Sequence, residues 1–366
     1  MRRAIADRLA EREPVVIVEQ PISLVRNQVY LRLRDRVRNV DKKGRSCYYR
    51  PLHFPEKLPG MGKIFKALNE DLIQREIDKL LPSQMDRIVC YDSPTQYRLV
   101  KKFRERLSVY LAVDDRTLTV WGYPISGEAE AESRLLGKVD RVICVSEQLA
   151  QTLKSRAPKG TNPSIMVLPN AYNERIFDPH KDYQAPTPLR NIPRARILIS
   201  GHVSERIDWD GIAVASRLRP EWTWVFLGPA DNGMREKIKD LLGNQGFYHP
   251  AVPANEVPAW IFHCDACAVA YRLNPFTQAS HPLKAIEYLA IGAPVISTRI
   301  PSLEKYAGAI EWVSVGEGKS YVSAMDKNIC DLGNSEVRTI RQRAVAEDSW
   351  EVRLDQFKEI VNNDAL

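Results

Sequence analysis

The sequence predicts an α/β protein of two parallel-sheet halves, on three observations. At 366 residues the chain is too long for one ordinary core, and at roughly 150 residues per domain it suits two. Short β-branched runs alternate with helical patterns along most of its length, which implies parallel strands covered on both faces. Between residues 178 and 195, four prolines in a polar background interrupt that alternation and mark a linker. The expected domains are residues 1–180 and 185–345, with the last helix, 346–366, packing back on the first.

The elements follow in order. Residues 2–12 read as a helix with Ile5, Leu9 and Ala10 on one side, and the run from Val15 to Val18 reads as a buried strand. In "VYLRLRDRVRNVDKKGRSCYYR", Val29, Leu31, Leu33 and Val37 alternate with arginines, and Asp-Lys-Lys-Gly reads as a turn. Residues 24–50 hold nine basic and two acidic residues, so this run is either a solvated strand face or a surface for anions or a membrane. A helical stretch near 62–80 precedes strands in "DRIVCYD", "SVYLAVDD", "DRVICVS" and "SIMVLPN". Beyond the linker, "RILISG", "TWVFLGP", "GFYHP", "ACAVAY", "VIST" and "IEWVSV" read as strands separated by helices. "DSWEVRLDQFKEIVNN" closes the chain as a helix with Trp350, Leu354 and Phe357 on one face.

The totals narrow the function. A net charge of +7, from 53 Lys and Arg against 46 Asp and Glu, suits phosphorylated small molecules or an anionic lipid surface. It falls short of a dedicated nucleic-acid arm, and no nucleic-acid partner is expected. Six scattered cysteines form no disulfide framework, and no apolar run reaches the ~20 residues that span a bilayer. A cytoplasmic protein is expected, with peripheral contact to the inner membrane as its further reach.

Several motifs have plainer readings. "GEGKS" imitates the end of a phosphate-binding loop, yet position 313 is Val where that loop needs Gly, and no GxGxxG follows a strand. "CDAC" at 264–267 is a lone pair running into an apolar strand, where thiols serve as small hydrophobes. In "DWD", Asp208 is placed to cap the helix that follows.

"SHPLKAIEYLAIGAPVIST" is a different case. Lys284 and Glu287 lie three apart on one helix face, Gly292 can end the helix in a left-handed turn, and Pro294 leads into a β-branched strand. The pair is either a structural salt bridge or two cleft-facing charges. Asp114 and Asp115 end the "VYLAVDD" strand, where open parallel sheets hold their ligands, although Asp-Asp-Arg-Thr is also good turn chemistry.

Taken together, "SGHVSERIDWDGI", "WTWVFLGPAD", "CAVAYRLNPFTQASHPLK" and "AIEYLAIGAPVIST" resemble the donor-binding half of GT-B glycosyltransferases of the family 4 type. Among these the chain looks similar to bacterial enzymes of exopolysaccharide and cell-surface glycan synthesis, including the xanthan glucuronosyltransferase kind. The resemblance implies two Rossmann-like domains facing a cleft and transfer of a sugar from a nucleotide-sugar co-substrate to a glycan or lipid-linked acceptor, without a separate cofactor or metal. It implies that Glu287 binds the ribose hydroxyls and that Lys284 meets the diphosphate or an acidic donor sugar. Gly201 would let backbone amides approach phosphate, with the following helix adding its positive end, and Arg206 falls near the residue that neutralises the leaving diphosphate. Ser280 and His281 sit in a loop that would touch phosphate or sugar. Inverting relatives carry a general base at the end of the corresponding first-half strand, which makes Asp114 the expected base and Asp115 its rival.

Two departures stand out. Retaining members carry an acidic residue eight positions before the ribose-binding Glu, where this chain has Ala279. The fold also expects a strand and a glycine-containing loop ahead of the first helix, so further upstream sequence is expected. The rival readings are a sugar-nucleotide epimerase of the same fold and an inactive sugar-nucleotide-binding or scaffold protein.

Overall fold

The computed structural model describes residues 1–18, 22–23, 40–43, 46–49, 52–53, 62–81 and 85–363. Most of the basic 26–50 run therefore lies outside the described residues. The strand expected over residues 29–37 does too.

The first half opens with a helix at Arg2–Leu9. Val15–Val18 then pairs in parallel with Ser46–Tyr49, which pairs antiparallel with Val40–Lys43. The residues read as an Asp-Lys-Lys-Gly turn thus enter a strand as far as Lys43. After the Gly62–Leu80 helix, four parallel strands lie in chain order: Ile88–Tyr91, Leu107–Ala112, Arg141–Cys144 and Ser164–Val167.

Successive side chains of these strands enter opposite cores, the period-two geometry of a sheet covered on both sides. Val109, Leu111 and Ile143 pack with Ile5, Trp350, Leu354 and Phe357 on one face. Tyr110, Ala112, Val142 and Cys144 pack with Leu135, Leu136, Leu149 and Leu153 on the other. The closing helix, Trp350–Asn362, is thus part of the first half's core.

The second half holds six parallel strands. From one edge to the other they are Gly246–His249, Thr223–Leu227, Arg196–Ser200, Ala266–Val269, Val295–Thr298 and Glu311–Val313. Numbered along the chain this is the order 3-2-1-4-5-6 of a doubly wound sheet, with its switch point between Arg196–Ser200 and Ala266–Val269. Alternation again fills two cores: Leu198, Val225 and Cys267 face one, and Ile197, Trp224 and Ala268 face the other. Cys264 joins Cys267 in apolar surroundings, and burial raises both thiol pKa values.

Residues 178–195 contain one short 3-10 turn, Thr187–Leu189, and pack on the second half through Tyr183, Leu189 and Ile192. A second crossing runs beside this connection. Tyr172 N–H donates to Asp348 O at 3.0 Å, and Trp350 N–H donates to Tyr172 O at 3.0 Å. Asp348 anchors the crossing, accepting from Tyr306 Oη and Lys305 Nζ at 2.8 Å each and from Arg353.

Candidate functional site

The switch point of the second sheet opens on a cavity of about 240 Å³ that reaches the first half. Its walls include Asp114 from the first half and Gly201, Arg206, Tyr271, Phe276, Thr277, Ser280, His281 and Lys284 from the second. Six of the eight site residues expected from sequence therefore share one cavity: Asp114, Gly201, Arg206, Ser280, His281 and Lys284.

The elements explain the gathering. Gly201 follows the central Arg196–Ser200 strand with φ +117°, and its N–H donates to Leu227 O at 2.8 Å. Gly228, at φ +142°, lies so close that a Cβ there would collide with the Gly201 carbonyl. The Leu283–Ile291 helix ends at Gly292 in the left-handed region, φ +80°, where the Gly292 and Ala293 N–H groups satisfy the last carbonyls. Its other end, at Pro282, Leu283 and Lys284, borders the cavity, so the positive end of the helix dipole faces it.

That corrects the expected source of the dipole. The helix after Gly201 begins at Trp209, and its N-cap Asp208 is fully buried, accepting from Gly211 N–H, Gly316 N–H and Tyr321 Oη. Asp208 is a structural cap, and this helix start is not among the cavity walls.

Glu287 and Asp115 do not line the cavity. Glu287 is buried one turn beneath its wall and accepts from Lys284 Nζ at 2.6 Å. Burial raises the Glu287 pKa against the opposing pull of Lys284. The two charges thus form the salt bridge weighed from sequence, with Lys284 at the cavity wall and Glu287 beneath it.

Asp115 points into the protein. Arg156 clamps both of its carboxylate oxygens, at 2.8 and 2.9 Å, and Thr117 donates to it through Oγ1 and N–H. Burial would raise its pKa, but those bonds prevail and hold it below the usual range. Arg156 also meets Glu132, which is fully buried and accepts from Tyr110 Oη at 2.7 Å. Both oxygens of Asp115 are thus held by internal donors, and of the pair only Asp114 lines the cavity.

Arg206 stacks on Tyr271, its Cζ 4.6 Å from the ring centroid, and its buried Nε has no hydrogen-bond partner among the described residues. His281 is 4 % exposed, and neither ring nitrogen has a hydrogen-bond partner among the described residues. Burial and the nearby Lys305 charge push its pKa down to about 4, against the pull of Asp348, so the ring is neutral near pH 7. Ala279 turns away into the first half's core, and Ser146 Oγ donates to its carbonyl at 2.5 Å.

Sequence reasoning missed Tyr271, Phe276, Thr277 and the Arg156–Glu132 pair. Tyr271 was findable, since it ends an apolar run at the carboxyl edge of a parallel strand. Arg156 was not, because its partners lie 24 and 41 residues away.

Comparisons with known proteins agree with this architecture. No protein-family model matches the sequence. A Bacillus subtilis (strain 168) protein, provisionally named as the teichuronic acid biosynthesis glycosyltransferase TuaH, is 27 % identical over 251 residues, covering 63 % of this chain. The match spans 62 % of that relative's length.

Among solved structures, sucrose-phosphate synthase of Thermosynechococcus elongatus superposes with TM-score 0.72 at 15 % identity, over 98 % of this chain and 91 % of that one. Anabaena HepE, solved in complex with UDP, gives 0.60 at 15 % identity over 86 % of each chain. An Escherichia coli trehalose-6-phosphate protein bound with UDP-2-fluoro glucose gives 0.66 at 10 % identity over 88 % of each. The fold is GT-B: two Rossmann-like units, each covered by helices, with a cavity between them. The Bacillus subtilis relative is named for teichuronic acid biosynthesis.

Proposed function

We propose that this chain is a glycosyltransferase that moves a sugar from a nucleotide-sugar donor to a glycan or lipid-linked acceptor in cell-surface polysaccharide synthesis. The observation that carries the reading is a single cavity combining Asp114 of one half with Gly201, Arg206 and Lys284 of the other. UDP in the HepE complex and UDP-2-fluoro glucose in the E. coli complex support a uridine diphosphate sugar as donor.

In this reading the diphosphate draws Lys284 away from Glu287, which then accepts from the ribose hydroxyls. The Asp114 carboxylate takes the proton of the acceptor hydroxyl as that oxygen attacks the anomeric carbon. The carbon–oxygen bond to the diphosphate breaks, and the electron pair leaves on a phosphate oxygen facing Lys284, Arg206 and the Leu283 helix end. Attack opposite the leaving group inverts the anomeric configuration. The inward turn of Ala279 supports inversion, because the position that is acidic in retaining relatives does not face the cavity.

Neutral His281 suits sugar hydroxyls better than phosphate, having one donor and one acceptor nitrogen. The basic 26–50 run supports an acceptor phosphate or an anionic membrane face. Among the described residues no helix is long and apolar enough to cross a membrane.

The test is a thermal-shift panel of UDP-, GDP- and dTDP-sugars on wild type and Glu287→Ala. A shift for one donor class that disappears in the variant is the expected result. Equal shifts in both proteins would remove Glu287 from the site.

A further inference from the structure

Directly after Asp114 and Asp115, residues 117–125 fold into a tight hairpin. Thr119 N–H donates to Tyr123 O at 2.8 Å, Ile125 N–H to Thr117 O at 2.7 Å, and Gly122 N–H to Thr119 O at 2.8 Å. The tip presents four large apolar side chains to solvent: Val120 at 40 % exposure, Trp121 at 44 %, Tyr123 at 69 % and Ile125 at 39 %. Such a contiguous group on an ordered turn calls for a partner.

The tip is fixed to the opposite half. Asn274 Nδ2 donates to Val120 O at 3.1 Å, and Gly122 abuts Asn274 and Pro275 so closely that a Cβ would lie 3.3 and 3.1 Å from them. The next residues, Phe276 and Thr277, line the cavity. The tip therefore stands at the cavity rim, on the order of 7 Å along the chain from its wall.

We propose that Trp121 and Tyr123 form a stacking platform for a pyranose ring of the acceptor glycan, extending the cavity outward from Asp114. This rests on the glycosyltransferase reading above. Aromatic rings offer broad, rigid apolar faces that match the C–H face of a sugar, and they lose little rotamer freedom on contact. A lipid surface is the competing occupant, and the local charge opposes it. From Thr117 to Ser133 there is no Lys or Arg, and Glu128 follows the hairpin at once, with Glu130 paired to Arg134 at 2.6 Å, whereas anionic leaflets attract basic segments.

The platform is testable without turnover. Saturation-transfer NMR would use methyl β-glycosides of glucose, galactose, N-acetylglucosamine and glucuronic acid as probes, with UDP as the donor-site control. Wild type should pass saturation to the ring C–H protons of at least one glycoside. Trp121→Ala and Tyr123→Ala should weaken that contact about tenfold, equivalent to ~1.4 kcal/mol, whereas Trp121→Phe and Tyr123→Phe retain most of it.

UDP saturation should be the same in wild type and all four variants. No glycoside signal in wild type, or equal signals in the alanine variants, would overturn the platform. Loss of phosphatidylglycerol-vesicle co-sedimentation in those variants with glycoside contact intact would also overturn it, in favour of lipid. A UDP signal indifferent to Glu287→Ala counts against the donor site alone and leaves the platform result standing.

Discussion

At the residue scale, the burial of Glu287 costs stability. A carboxylate in this setting carries a desolvation cost that Lys284 offsets only in part, which is why its pKa is raised. A raised carboxyl pKa means that the folded state holds its proton more tightly than the unfolded state does. That contribution is full below the ordinary carboxylate range and is lost as pH rises through the folded value. Glu287→Gln should therefore be more stable than wild type at neutral pH, by on the order of 1 kcal/mol, with the gap closing as pH falls toward 4. Melting temperatures across that range check it, and a gap that widens on acidification would contradict it. For Asp114 the prediction is kinetic: Asp114→Asn should lower kcat about 100- to 10,000-fold while leaving the donor-induced thermal shift intact. A variant with near-normal turnover would exclude Asp114 as the base.

At the scale of elements, the second half was the more legible in sequence. Its strands alternate into two apolar cores, and the glycine stop of the Leu283–Ile291 helix is written in four adjacent residues, Ile-Gly-Ala-Pro. Less was legible in the first half, because its site depends on pairings between distant positions. Asp114 and Asp115 look equivalent in the sequence, yet in the bend that follows the Leu107–Ala112 strand one lines the cavity and the other binds Arg156. The helix facing the cavity was misassigned for a similar reason: Asp208 looks like a simple cap, and its bonds to Gly316 and Tyr321, over 100 residues away, cannot be read locally. The Arg156 network yields its own prediction. Arg156→Met would leave Asp115 and Glu132 buried without their cation and should cost about 3–5 kcal/mol in a urea unfolding titration. Gly228→Ala should cost at least about 2 kcal/mol and also displace Gly201, abolishing the nucleotide-dependent thermal shift.

At the scale of the whole molecule, the two halves meet along the Asn274–His281 segment. Asn274 reaches Val120, Ser146 reaches the Ala279 carbonyl, and Asn170 Nδ2 donates to His281 O at 2.8 Å. The Trp350–Asn362 helix belongs to the first half's core although it follows the second half in the chain. Phe357→Ala should accordingly cost about 3–5 kcal/mol and lower the unfolding midpoint of the first half. The paired crossings at Tyr172 and Asp348 have a consequence for a chain that is cut. A tryptic nick after the exposed Lys181 severs the polypeptide between the halves, but the fragment carrying the second half keeps its last helix buried in the first. The nicked protein should elute as one particle in size exclusion and separate only in denaturant, because the Trp350–Asn362 helix sews one fragment into the other.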